Sequence, residues 1–78
     1  MNEVSIEQFK EALGNRIKQL RLQAGLTQEQ LALRLGYKDK QVVNRYEKDG
    51  ANPTAYNLVA IAAALQVSPN VLLEFRSE

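Results

Sequence analysis

The sequence predicts an all-α chain, a compact five-helix bundle forming one domain over residues 1–78. Three observations carry this. Apolar residues recur at steps of three and four, and no segment alternates with the period of two that a half-buried strand requires. Residues able to cap a helix stand before the apolar runs, and glycine or proline stands near several of their ends. The intervals between runs are short, about two to six residues, as is usual between packed helices.

The first helix is expected over 6–23. Ser5 and Gln8 have capping-box spacing, and Ile6, Phe9, Leu13, Ile17, Leu20 and Ala24 follow at helical steps. Gly25 suits the left-handed turn that ends many helices. Gly14 costs about 1 kcal/mol relative to alanine in a helix interior, so the first two turns are expected to fray or bend. Thr27 and Gln30 repeat the capping-box spacing and open a second helix, 28–35, with Leu31, Ala32 and Leu35 on its apolar side and Gly36 closing it. Asp39 is the expected N-cap of a third helix, 40–48, with Val43 and Tyr46 inward. "DGANPT" is turn chemistry. Thr54 caps a fourth helix, 55–65, whose Leu58, Ile61, Ala62 and Leu65 share a side, and whose small residues in "AIAAAL" permit close helix approach. Ser68 followed by Pro69 opens a short fifth helix, 69–75.

Composition narrows the chemistry. With 78 residues the core is small, and such a chain buries only about 60% of its unfolded surface. Cysteine and histidine are absent, which removes disulfides, thiolate or imidazole metal sites and the commonest general base. There is no glycine-rich phosphate loop and no carboxylate cluster at ligand spacing, so neither an enzyme nor a metal or cofactor is expected. No apolar run approaches the roughly 20 residues of a membrane span, and "MNEVSIEQF" lacks the features of a signal peptide. A cytoplasmic location is expected.

Net charge is +1, and its distribution says more than its size. Residues 34–48 hold five bases (Arg34, Lys38, Lys40, Arg45, Lys48) against Asp39 and Glu47, a local excess of three. Residues 51–78 hold Arg76 against Glu74 and Glu78. A solvated charged face would account for the excess alone. Its position adds a second reading, because it surrounds the break between the second and third helices. Two short helices joined by a glycine-containing turn are the sequence form of a helix-turn-helix, here 28–48. Lys40, Gln41, Asn44 and Arg45, at i, i+1, i+4 and i+5, share one face of the third helix, and all can reach base edges in a major groove.

"RIKQLRLQAGLTQEQLALRLGY", "VVNRYEKDGANPT" and "IAAALQVSPNVLL" together resemble the Cro and repressor type of helix-turn-helix domain, the Xre family, over about residues 16–73. The resemblance implies the lambda-repressor-like fold and sequence-specific binding of double-stranded DNA by a homodimer on a two-fold operator. It implies base reading by Lys40, Gln41, Asn44 and Arg45. It marks Gln28, with Thr27, as a phosphate anchor at the start of the second helix, and Thr54 as a backbone contact at the start of the fourth. Lys38, Lys48 and Asn52 are further phosphate candidates. Arg21 and Glu47 match a buried ion pair between the first and third helices, with Arg21 also a candidate for phosphate. Val67, Pro69, Asn70, Leu72, Leu73 and Phe75 match the region where relatives dimerise, and one face of so short a helix is not expected to bury all of its apolar residues.

The chain departs from the family pattern in three places. Eleven residues rather than ten carry Gly36 to Glu47, one extra residue in "YKDK". Counting backward from Glu47 gives the base-reading set above, whereas counting forward from Gly36 would bury Asn44. "EKDG" stands for the usual "E-x-G", so Asp49 is expected to take the conformation glycine normally supplies. Gln66 stands where relatives commonly have glycine. The function implied is a transcriptional regulator, a repressor or an autoregulator. Two other readings keep the fold: an antitoxin whose second partner is a toxin, and a protein-interaction domain, for example toward transcription machinery, that does not read DNA.

Overall fold

The computed structural model describes residues 5–50 and 53–74. It contains α1 (Ile6–Gln23), α2 (Gln28–Arg34), α3 (Gln41–Asp49), α4 (Ala55–Leu65) and α5 (Pro69–Leu72), with no strand among the described residues. The capping boxes at Ser5–Gln8 and Thr27–Gln30 both form. Thr54 Oγ1 accepts from the Asn57 N–H at 3.1 Å and opens α4.

One core runs through the bundle. Leu13, Ile17 and Leu20 of α1 meet Leu31 and Ala32 of α2, Val43 and Tyr46 of α3, Ile61, Ala62 and Leu65 of α4, and Leu72 of α5. Arginines sew the outer helices to it. Arg16 donates from Nε to the Val71 carbonyl at 2.9 Å, tying α1 to α5, and Arg34 donates to the Ala64 carbonyl at 3.0 Å near the end of α4.

Several expectations are corrected. α1 runs unbroken through Gly14, which is buried against α3. A Cβ there would stand 2.5 Å from the Glu47 carbonyl oxygen and 2.8 Å from that of Tyr46, so glycine permits a close backbone approach rather than weakening the helix. α3 begins and ends one residue later than the pattern suggests. At its start, the Asp39 carboxylate accepts from the Gln41 N–H at 3.0 Å, and Lys40 occupies the cap position without a side-chain bond of its own. At its end, Asp49 remains helical and Gly50 takes the left-handed conformation, φ 70°. A Cβ at Gly50 would overlap the Lys10 main chain. The extra residue in the turn is thus absorbed by sliding α3 one position along, and Asp49 avoids the conformation expected of it. Gln66, by contrast, does adopt it at φ 61°, the one positive-φ residue other than glycine among those described. α5 ends at Leu72 instead of 75; Leu73 is a turn residue, and Phe75 lies outside the described residues.

Candidate nucleic-acid interface

α3 is divided sharply between two environments. Val43 and Tyr46 point into the core at 0% and 6% exposure, and Glu47 is buried beside them. Lys40, Gln41, Asn44 and Arg45 are all exposed. The count backward from Glu47 therefore agrees with the burial pattern, and the forward count, which would bury Asn44, does not.

Beneath α3 lies the ion pair that fixes its position. Arg21 grips Glu47 through two parallel bonds, Nε to Oε2 at 2.6 Å and Nη2 to Oε1 at 3.1 Å, with both side chains nearly inaccessible. The remaining guanidinium nitrogen, Nη1, donates to the Leu26 carbonyl at 2.7 Å. A bidentate pair with a further bond to a main-chain carbonyl is an arrangement that offsets part of the cost of burying two charges. Three of the five guanidinium N–H groups of Arg21 are thus engaged inside the protein, and the nearly inaccessible side chain ties α1, the α1–α2 turn and α3 together.

Gln28 is drawn into the same network. Its Nε2 donates to Glu47 Oε1 at 3.0 Å and reaches Asn44 Oδ1 at 3.5 Å. One amide hydrogen is directed to the buried carboxylate and the other toward the exposed Asn44, while the first N–H groups of a helix have no acceptor inside it. Thr27 and Thr54 sit at the starts of α2 and α4 as expected, with their hydroxyl oxygens accepting from Gln30 and Asn57. Lys38 and Lys48 are exposed, and Asn52 lies outside the described residues.

The packing adds a cation that sequence spacing did not mark. Lys10 of α1 lines an open groove with Arg45, Lys48 and Asp49 of α3 and with Glu7 and Glu11. It lies 35 positions before Arg45 in sequence, and the close approach through Gly14 and Gly50 is what brings the two helices together there. Tyr37, in the turn before α3, lies beside Tyr46. Burial pushes the Tyr46 phenol above its ordinary value, the Tyr37 phenol adds to the rise, and Arg45 partly opposes it.

On the expected dimer surface, Pro69 and Asn70 are exposed, Val67 is half-buried and Leu73 is 45% exposed. Leu72 is corrected: at 0% exposure it belongs to the protomer's own core. Among the described residues no helix is long and apolar enough to cross a membrane.

Comparison with known proteins agrees with this geometry. A helix-turn-helix family model, HTH_3, matches residues 17–72. No curated protein sequence matches significantly. Among solved structures, the chain is 34% identical to the restriction-modification controller protein C.AhdI from Aeromonas hydrophila, covering 80% of this chain and 92% of that one with a TM-score of 0.73. The hypothetical transcription factor NHTF from Neisseria is 31% identical over 94% of this chain and 84% of its own, with a TM-score of 0.76. The protein of the nucleoprotein complex C.Esp1396I is 32% identical over 85% and 84% respectively, with a TM-score of 0.74. The all-helical fold, the divided third helix and the family match lead to one conclusion: this chain belongs to the Xre/Cro-type helix-turn-helix family and is a DNA-binding transcriptional regulator.

Proposed function

We propose that the protein is a repressor or autoregulating controller that binds a two-fold operator as a homodimer, with α3 of each protomer in a major groove. Lys40, Gln41, Asn44 and Arg45 read base edges. The starts of α2 and α4 meet the phosphates on either side, and Lys38 and Lys48 add cationic contacts to the backbone. Val67, Pro69, Asn70 and Leu73 contribute to the dimer surface. The observation that carries the reading is the divided α3, whose four long polar side chains are exposed while a buried bidentate ion pair holds its other face. The similarity to restriction-modification controller proteins supports a controller role.

The test is selection from random double-stranded DNA by the purified protein at about 0.15 M salt, read by sequencing. Recovery of a symmetric motif with half-sites about one helical turn apart supports dimeric docking. Arg45→Ala is expected to weaken specific binding by about 1–3 kcal/mol and relax one base pair in each half-site. Recovery of only salt-sensitive, sequence-blind binding would refute the reading and shift attention to a protein partner such as a toxin or the transcription machinery.

A further inference from the structure

All three tyrosines of the chain meet around one cleft. Tyr37 comes from the turn between α2 and α3, Tyr46 from the inner face of α3, and Tyr56 from the first turn of α4, where Asn57 joins it. The cleft holds about 90 Å³, aliphatic side chains complete its wall, and no charged side chain lines it. Tyr46 is buried at 6% exposure, whereas Tyr37 is 41% and Tyr56 79% exposed. The Tyr37 hydroxyl lies beside that of Tyr46. A hydrogen bond between them spends one of their two hydroxyl hydrogens, so the pair keeps a donor to spare, and Tyr56 brings another. Lys38 follows Tyr37 directly, and Thr54 precedes Tyr56 by two positions. The cleft therefore lies between two of the positions proposed to meet the DNA backbone.

We propose that Tyr37 and Tyr56 clamp one phosphate of the DNA backbone in each half-site through their hydroxyls, with Tyr46 as a positioning residue behind Tyr37. The inference rests on the reading of α3 as the major-groove helix, and it adds a neutral, directional backbone contact beside the cations of Lys38 and Lys48. The chemistry is complementary. An ionised phosphodiester only accepts hydrogen bonds, the cleft offers hydroxyl donors, and it holds no carboxylate to repel the ligand. A hydrogen bond to an ionised oxygen is shorter and stronger than one between neutral groups. A lysine on a phosphate acts largely by releasing condensed counterions, and that gain fades as salt rises. A hydroxyl releases none, so its contribution persists. A phosphate held by both tyrosines bridges the turn and α4, and so sets how α3 lies in the groove without reading any base.

The clamp is tested by measuring affinity for the selected operator between about 0.05 and 0.3 M salt with the wild type, Tyr37→Phe, Tyr56→Phe, the double variant and Lys38→Ala. Phenylalanine keeps the ring and removes only the hydroxyl, and thermal melts confirm that each variant is folded. Each single phenylalanine variant is expected to lose about threefold per protomer, hence about tenfold for a dimer, within the range of one net hydrogen bond. Base preference and salt dependence are expected to stay unchanged. Lys38→Ala, by contrast, is expected to flatten the salt dependence by about one in slope per protomer. The operator is then scanned with single methylphosphonates, each replacing one anionic phosphate oxygen by a methyl group. One phosphate in each half-site is expected to matter to the wild type and to matter distinctly less to the double variant. Wild-type affinity in either phenylalanine variant would overturn the clamp. So would a double variant as sensitive as the wild type at every phosphate, which is the mark of a merely structural role. In both cases, relaxation of one base pair by Arg45→Ala would leave the docking of α3 standing. Absence of any selected motif would overturn the docking and the clamp together.

Discussion

Replacing Gly14 by alanine adds one methyl group where α1 meets the main chain of α3. In an isolated helix this change stabilises by about 1 kcal/mol, and the tertiary structure reverses the sign. The new Cβ would stand 2.5 Å from the Glu47 carbonyl oxygen and 2.8 Å from the Tyr46 carbonyl oxygen. Close carbon–oxygen contacts across helices settle near 3.3 Å, so the two helices must separate by roughly 0.5–0.8 Å. Both obstructing atoms are main-chain, and neither can rotate aside. Overpacking of this kind costs about 1–3 kcal/mol, and the rigidity of the obstruction points to the upper end. After the helix-propensity gain, the net loss is about 2 kcal/mol. For a domain of this size each kcal/mol corresponds to about 4–8 °C, so Tm is expected to fall by roughly 8–16 °C. Thermal unfolding followed by circular dichroism at one fixed protein concentration measures it directly. Because the displaced element carries the residues proposed to read bases, DNA affinity should also fall at temperatures where the variant is fully folded. An unchanged or raised Tm would refute the close-approach account of Gly14.

Glu47→Ala leaves the Arg21 guanidinium buried without its carboxylate and removes the acceptor for Gln28. A loss of about 3–5 kcal/mol is expected by chemical denaturation, and a loss below about 1 kcal/mol would show that the pair contributes little. Leu72→Ala should cost about 2–5 kcal/mol as a core cavity; an effect confined to the concentration dependence of dimerisation would return Leu72 to the interface. Gln66→Gly relieves a left-handed residue and should stabilise by about 1 kcal/mol, and a lowered Tm would contradict that. The raised Tyr46 pKa means that the folded state keeps its proton longer than the unfolded chain does. Stability should therefore be intact below about pH 10 and fall as pH rises through the folded-state value. Tyr46→Phe should flatten this alkaline fall, and an unaltered profile would place its origin elsewhere.

How far the sequence reaches is clearest helix by helix. α1, α2 and α4 were legible because the signals that define them are local: capping boxes at Ser5 and Thr27, the Thr54 cap, and apolar steps of three and four. The exposed face of α3 was legible once its register was taken from Glu47, since burying Val43 and Tyr46 leaves Lys40, Gln41, Asn44 and Arg45 outside. The roles of Gly14, Leu72, Gln28 and Lys10 were not legible in the same way. Each depends on atoms distant in sequence: the α3 carbonyls for Gly14, the bundle interior for Leu72, the Glu47 carboxylate for Gln28, and the end of α3 for Lys10. By itself, then, the sequence determined the helices, their order and the polar face of α3, because these follow from capping and periodicity within a few residues. Only the tertiary structure decided how closely α1 and α3 approach, which cations share a groove, and that the Gln28 amide turns its –NH2 to Glu47, because those depend on steric exclusion and hydrogen-bond direction between segments that meet only in the folded chain.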